Sequence, residues 1–278
     1  MAHTEERAEG AGPFTTRLSW RLAGGGIAVW ESRAARKRGV LRVGPEGAEA
    51  TAQYADEETL HRLRSLNAVA ATAFTAGGAL FVLGAALAQF GSGNPTQSAT
   101  VYFVGGLFFN TGAYASLLQT INAPRRAGGA GALATRRWRW WSYEPMRIDW
   151  LSTFVLFAGT VVFGINLLDS FLQGLSARQV NRLIWAPDVV GCLLFLVSGH
   201  LALLEVSHGR PGLRLRSLGW WIVAVNQLGS ALFLVSALAD FTDPRTGNLV
   251  NVAIANWGTM TGAACFSIGG VLQLFERP

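Results

Sequence analysis

The chain has 278 residues, half of them hydrophobic and only 14% charged, with 23 Lys and Arg against 17 Asp and Glu. Soluble domains carry about 25% charged residues, so the deficit speaks against a purely soluble protein. The basic surplus, with a pI near 10.1, lies between apolar runs, where lipid phosphate rather than nucleic acid is the natural partner.

Residues 1–64 are polar and hold ten of the 23 basic side chains. The opening "MAHTEERAEG" is acidic, and the first apolar run comes too late for a cleaved leader. Residues 14–50, with two Trp and the run "SRAARKRG", read as a small basic segment lying on a membrane surface. In "YADEETLHRLRSL" acidic residues lead and basic ones follow, the pattern of a helix running into the apolar stretch behind it.

Six apolar stretches follow, at about 67–90, 98–121, 149–171, 184–206, 218–241 and 249–275. Each is near the ~20 residues that a helix needs to cross a hydrocarbon core about 30 Å thick. The expected fold is therefore all-α, a polytopic bundle of six transmembrane helices behind a basic N-terminal segment of residues 1–64. Cys192 and Cys265 both fall inside these stretches, which leaves a disulfide framework unsupported. Cytoplasmic loops accumulate Lys and Arg. If the two termini share a side, 20 of the 23 basic residues lie there, which predicts cytoplasmic termini. Arg outnumbers Lys by 22 to one in an Ala- and Gly-rich chain, a composition of GC-rich bacteria, so the expected location is a bacterial inner membrane.

Between the second and third stretches stands "RRWRWWSYEPMRIDW". Trp and Tyr favour the headgroup layer and Arg reaches anionic phosphate. Arg136, Arg137, Trp138, Arg139, Trp140, Trp141 and Trp150 are thus read as a lipid interface, and "LGWWIVAV" adds Trp220 and Trp221 at the start of the fifth stretch. Pro145 stops any preceding helix, and Asp149 suits the positive start of the next.

A repeat runs through the six stretches. Each contains Gly, three residues, then Phe: Gly77/Phe81, Gly105/Phe109, Gly159/Phe163, Gly191/Phe195, Gly229/Phe233 and Gly262/Phe266. Three residues further on come Gly84, Gly112, Asn166, Ser198, Ser236 and Gly269. Aligning Gly105, Gly191 and Gly262 brings Gln119, Glu205 and Glu276 into register. The pattern predicts three two-helix units of one orientation around a pseudo-threefold axis. Positions i, i+4 and i+7 share a helix face, so the stripe reads as helix packing, with Gly opening a notch for a neighbouring backbone.

The segments "GTVVFGIN", "GCLLFLVSG" and "GSALFLVSA" resemble the Gly-x-x-x-Phe-x-x-Gly/Ser signature of YrhK-like membrane domains. "EPMRIDW" and "WAPDVVG" are similar to segments of bacterial six-span proteins built from that unit. The resemblance covers roughly residues 68–276 and implies the six-span topology. It brings no activity and no catalytic residues.

Ionisable and amide side chains within spans are costly and often functional. Asp169, Asp188 and Asp240 fall near the outward ends of the third, fourth and fifth stretches, either as boundary residues or as an acidic vestibule. Asp188 follows Trp185-Ala186-Pro187, which reads as a helix start. His200 breaks the repeat, Glu205 lies five residues on, and His208 one turn beyond Glu205 is placed to pair with it. Asn110, Asn166, Asn226, Gln227 and Asn256 add amides for interhelical bonds or a polar path. No Walker loop, nucleophile elbow or zinc spacing occurs, so neither enzymatic activity nor a cofactor or metal is expected. Two functions remain: a non-enzymatic scaffold or sensor that binds anionic lipid, a protein partner or a second copy, or a transporter for a small solute, proton or cation. A dry, Phe-filled axis argues against the second.

Overall fold

The computed structural model describes residues 6–45, 49–91, 94–126, 131–135, 137–210 and 212–276. It is mostly helical, but the N-terminal segment corrects the all-α expectation. Strands β1 (Glu6–Ala11), β2 (Phe14–Arg21), β3 (Ile27–Glu31), β4 (Val40–Gly44) and β5 (Thr51–Tyr54) form an antiparallel meander in sequence order. A short helix, α1 (Ser32–Arg38), lies between β3 and β4. The strands are brief, and their signal is alternation rather than bulk hydrophobicity. In "FTTRLSWR" period-two spacing buries Thr16 and Trp20, and Trp20 joins Ala28 and Leu41 in a small core. Left-handed glycines make the turns, Gly12 between β1 and β2 and Gly25 and Gly26 between β2 and β3.

Six long helices follow: α2 (Glu57–Phe90), α3 (Pro95–Ile121), α4 (Ile148–Asp169), α6 (Ala186–Ser207), α7 (Leu218–Ala239) and α8 (Val252–Leu274). A single helical turn, α5 (Ala177–Val180), precedes α6. Each long helix packs on the next, and α8 closes the ring against α2. Among the described residues five helices are long and apolar enough to cross a membrane: α2, α3, α4, the continuous α5–α6 helix and α7. The sixth stretch does form a helix, but Asn256, Thr259, Thr261 and four glycines dilute its apolar character. Most helix starts are capped as their sequences suggest, with Asp56, Asn94, Ser217 and Asn251 side chains accepting from first-turn N–H groups.

The start of α6 differs from the sequence reading. The chain is already helical at Ala177 and passes through a π-helical turn, Asn181–Trp185, before Pro187. Proline within a helix lacks an N–H and crowds the carbonyl four residues back. The wider turn accommodates that fault without breaking the helix. Asp188 therefore stands inside a continuous helix, not at a free positive end.

The glycine–phenylalanine stripe is reciprocal within each hairpin. A Cβ on Gly77 of α2 would lie 2.6 Å from the Phe109 ring of α3, and one on Gly105 would lie 2.9 Å from Phe81. Gly159 faces Phe195 and Gly191 faces Phe163 between α4 and α6; Gly229 faces Phe266 and Gly262 faces Phe233 between α7 and α8. In all three hairpins the notch of one helix receives the ring of its partner. The same close approach lets backbones meet, with Gly78 of α2 against Ala263 and Ser267 of α8.

Candidate functional site on the bundle axis

The six phenylalanines converge. Phe81 touches Phe109, Phe163 and Phe233 with ring centroids 5.3 to 6.2 Å apart, and Phe266 touches Phe109, Phe195 and Phe233. These separations are ordinary for packed aromatic pairs. The belt leaves a void of about 10 Å³ lined by Phe81, Phe109, Thr160, Phe163, Phe195 and Phe233. That is at the limit for one water, and a ring-lined void of that size stays dry.

A cavity with polar side chains in its wall lies on each side of the belt. Away from the sheet, a cavity of about 310 Å³ has Phe81 and Phe163 as its floor and is lined by Tyr102, Asn166, Asp188, Asp240 and Asn256. Asp188 accepts a bond from Cys192 Sγ at 3.7 Å, and Asn256 donates to Gln89 at 2.9 Å. Toward the sheet, a smaller cavity of about 100 Å³ is lined by Phe74, Phe195 and Phe266 on the belt side and by Arg33, Arg36 and Lys37 on the other.

Those three cations belong to α1, which closes the sheet end of the bundle. "SRAARKRG" is too short to hold a helix alone. Gly39 ends it in left-handed conformation, its N–H reaching Ala34 and Ala35 carbonyls. What fixes it is a set of buried charges. Arg33 Nε and Nη2 donate to the two carboxylate oxygens of Glu276 at 2.8 Å each, a bidentate pair. Arg36 Nη2 donates to Glu205 Oε2 at 2.9 Å, and Ser32 Oγ donates to Glu205 Oε1 at 2.8 Å. Lys37 Nζ donates to Asn67 Oδ1 at 3.0 Å, and Asn67 bonds in turn to Gln273. The Arg36 and Glu205 side chains are only 6% and 0% exposed. Burial alone would push the Glu276 carboxyl up, but Arg33, Lys37 and Arg36 together hold it below its ordinary value. Burial, and then Arg36, pushes the Lys37 ammonium well below its ordinary value.

Glu205 and Glu276, in register in the sequence, thus share one task, while Gln119, their counterpart on α3, donates to the Leu63 carbonyl at 3.0 Å. His208 does not pair with Glu205. It caps α6 in left-handed conformation, and its Nδ1 lies 2.9 Å from Thr16 Oγ1 of β2, a second tie between sheet and bundle.

The remaining sequence candidates divide. Asp188, Asp240 and Asn166 meet at the larger cavity, whereas Asp169 does not line it. His200 is exposed on the outer face of α6 and lines neither cavity, which removes it from any axial path. Asn110 is half-buried and also lines neither. Of the lipid-interface set, Trp140, Trp141 and Trp221 are exposed and Trp220 half-buried. Arg137 and Arg139 are exposed, Trp138 is half-buried, and Arg136 lies outside the described residues. Trp150 is a correction. It is 1% exposed, stacks on Phe154 at 4.8 Å, and donates from Nε1 to the Ser142 carbonyl, so it anchors the loop to α4 instead of facing lipid. Ser32, Arg33, Arg36 and Lys37 were missed as site residues. The signal for them was a basic heptad closed by glycine, together with two carboxylates in register at helix ends.

Comparison with protein-family models, curated proteins and solved structures finds no match to this chain. The class defined here is a multi-helix protein with several helices able to cross a membrane and a small β-sheet fastened to one end.

Proposed function

We propose that the chain is a YrhK-like, multi-pass protein of a bacterial inner membrane that acts as a non-enzymatic scaffold or sensor. In this reading all six long helices cross the bilayer, as three parallel two-helix repeats about a pseudo-threefold axis, with both termini cytoplasmic. The distribution of Arg supports the orientation. It puts the sheet and α1 on the cytoplasmic side, where exposed Trp140, Trp141 and Arg139 are available to anionic headgroups. The observation that carries the reading is the phenylalanine belt, which separates two cavities, each with polar side chains in its wall, by a dry constriction. Such a constriction speaks against a resting conduction path. What the arrangement offers instead is a cavity on one side, a sheet on the other, and a helix held between them by buried ion pairs.

The test is proton, sodium, potassium and chloride flux into liposomes holding the purified protein. Wild type is expected to match empty liposomes, while Phe81→Ala, which opens the belt, is expected to leak. Wild-type flux above empty liposomes under any of these gradients overturns the scaffold reading. It would establish the alternative, transport, which the pairing of cavities across a narrow gate favours.

A further inference from the structure

The smaller cavity has an unbalanced wall. Arg33 is matched by Glu276 and Arg36 by Glu205, but Lys37 meets only the neutral amide of Asn67. Among the described residues no carboxylate lies within ion-pair distance of Lys37. The α1 wall therefore carries three cations against two anions. Arg36 is 5% exposed, and its Nε, which Glu205 leaves free, has no hydrogen-bond partner. A buried guanidinium N–H without an acceptor is costly, as is a buried ammonium without a counter-ion. Opposite stand the rings of Phe74, Phe195 and Phe266. A cavity that is cationic at one wall and aromatic at the other selects a ligand with an anionic head and a short apolar tail. Its room of about 100 Å³ suits a ligand of a few heavy atoms.

We propose that this inner cavity binds a small monocarboxylate, its head between Arg36 and Lys37 and its tail against Phe74, Phe195 and Phe266. The site goes beyond the scaffold reading by naming a ligand class, and it stands whether or not the bundle conducts. Binding is linked to protonation. Lys37 is faced by Arg33 and Arg36 on its own helix, by Glu205 from α6, by Glu276 after α8 and by Asn67 from α2. Burial and the two arginines oppose its charge, and an anion beside it supports that charge. Affinity therefore falls as pH rises and Lys37 loses its proton.

The experiment uses the full chain in nanodiscs and reads Tm and equilibrium binding of ¹⁴C-labelled acetate and propionate. Sodium formate, acetate, propionate, butyrate and chloride are compared at one ionic strength. Acetate and propionate are expected to raise Tm saturably and above chloride, with the effect lost as the tail outgrows the cavity. Lys37→Met, which leaves both Arg–Glu pairs in place, is expected to weaken binding at least tenfold and to flatten its pH dependence. Ala202→Leu fills the cavity without touching an ion pair and is expected to abolish binding while the protein stays folded. Equal shifts for all five anions, no saturable binding, or binding unchanged in both variants would overturn the proposal.

Discussion

Glu205→Gln is the sharpest perturbation of the latch between α1 and the bundle. The substitution keeps the shape of the side chain and its bond to Ser32, and removes only the charge opposite Arg36. Both side chains are nearly inaccessible, at 6% and 0% exposure, so solvent screening does little to soften the loss. Removing one partner of such a pair costs about 3–5 kcal/mol, because the other charge stays buried without compensation. The cheapest escape is for α1 to leave the mouth of the bundle, since seven residues form no stable helix alone. If the whole cost is released that way, the undocked population rises by about two to three and a half orders of magnitude. Hydrogen exchange of α1 amides and trypsin cleavage after Arg33, Arg36 and Lys37 both report that population. The double variant Glu205→Gln with Arg36→Met removes both charges and is expected to recover most of the protection. Should α1 exchange within threefold of wild type in Glu205→Gln and in Glu276→Gln alike, the charges do not hold it and the latch is refuted.

Three further outcomes follow from the same contacts. Gly262→Ala places a Cβ 2.8 Å from the Phe233 ring and 2.9 Å from the Gly229 carbonyl, so it is expected to cost about 1–3 kcal/mol in detergent unfolding, whereas Gly164→Ala, with nothing within 4 Å, is expected to be neutral. Docking of α1 is expected to strengthen with pH on two counts. The carboxyl of Glu276 is held low when docked, so its contribution is present above the ordinary carboxylate range and disappears as pH falls through the docked value; the ammonium of Lys37 is also held low, so its penalty lifts as pH rises toward its ordinary value near 10.5. Exchange protection of α1 measured from pH 4 to 10 checks this, and Lys37→Met should flatten only the alkaline part. Finally, brominated lipids are expected to quench Trp141 and to spare Trp150, so Trp141→Phe should remove quenchable fluorescence and Trp150→Phe should not.

The helices were legible because a helix able to cross a membrane demands apolar side chains over a fixed length. The Gly–Phe spacing was legible too, because backbones that meet across a notch tolerate no Cβ, as the reciprocal pairs Gly77/Phe109 and Gly105/Phe81 illustrate. The sheet was hidden by its brevity. Five strands of four to eight residues, split by α1, never build a hydrophobic run, and only the alternation around Thr16, Leu18 and Trp20 marks them. Long-range pairing was hidden in a different way. Glu205 and Glu276 were visible as equivalent helix ends, and "SRAARKRG" was visible as basic, but their meeting across 169 to 243 positions of chain depends on where the sheet sets α1 down.

That placement changes what the acidic pair means. At the end of an isolated transmembrane helix, a carboxylate facing water needs no explanation and carries little energy. Under α1 the same two carboxylates are 0% and 3% exposed, and each is answered by an arginine from a different part of the fold. Burying ion pairs is a poor way to gain stability, since well-packed apolar residues would serve as well or better. Its distinctive property is that the cost of breaking one partner is high while the net worth of the intact pair is small. An element held in this way is released by a modest change in protonation or by a competing ion. An anion in the cavity beside Arg36 and Lys37 binds only while α1 is docked and so opposes that release, and the sheet that carries α1 is where the balance would be read.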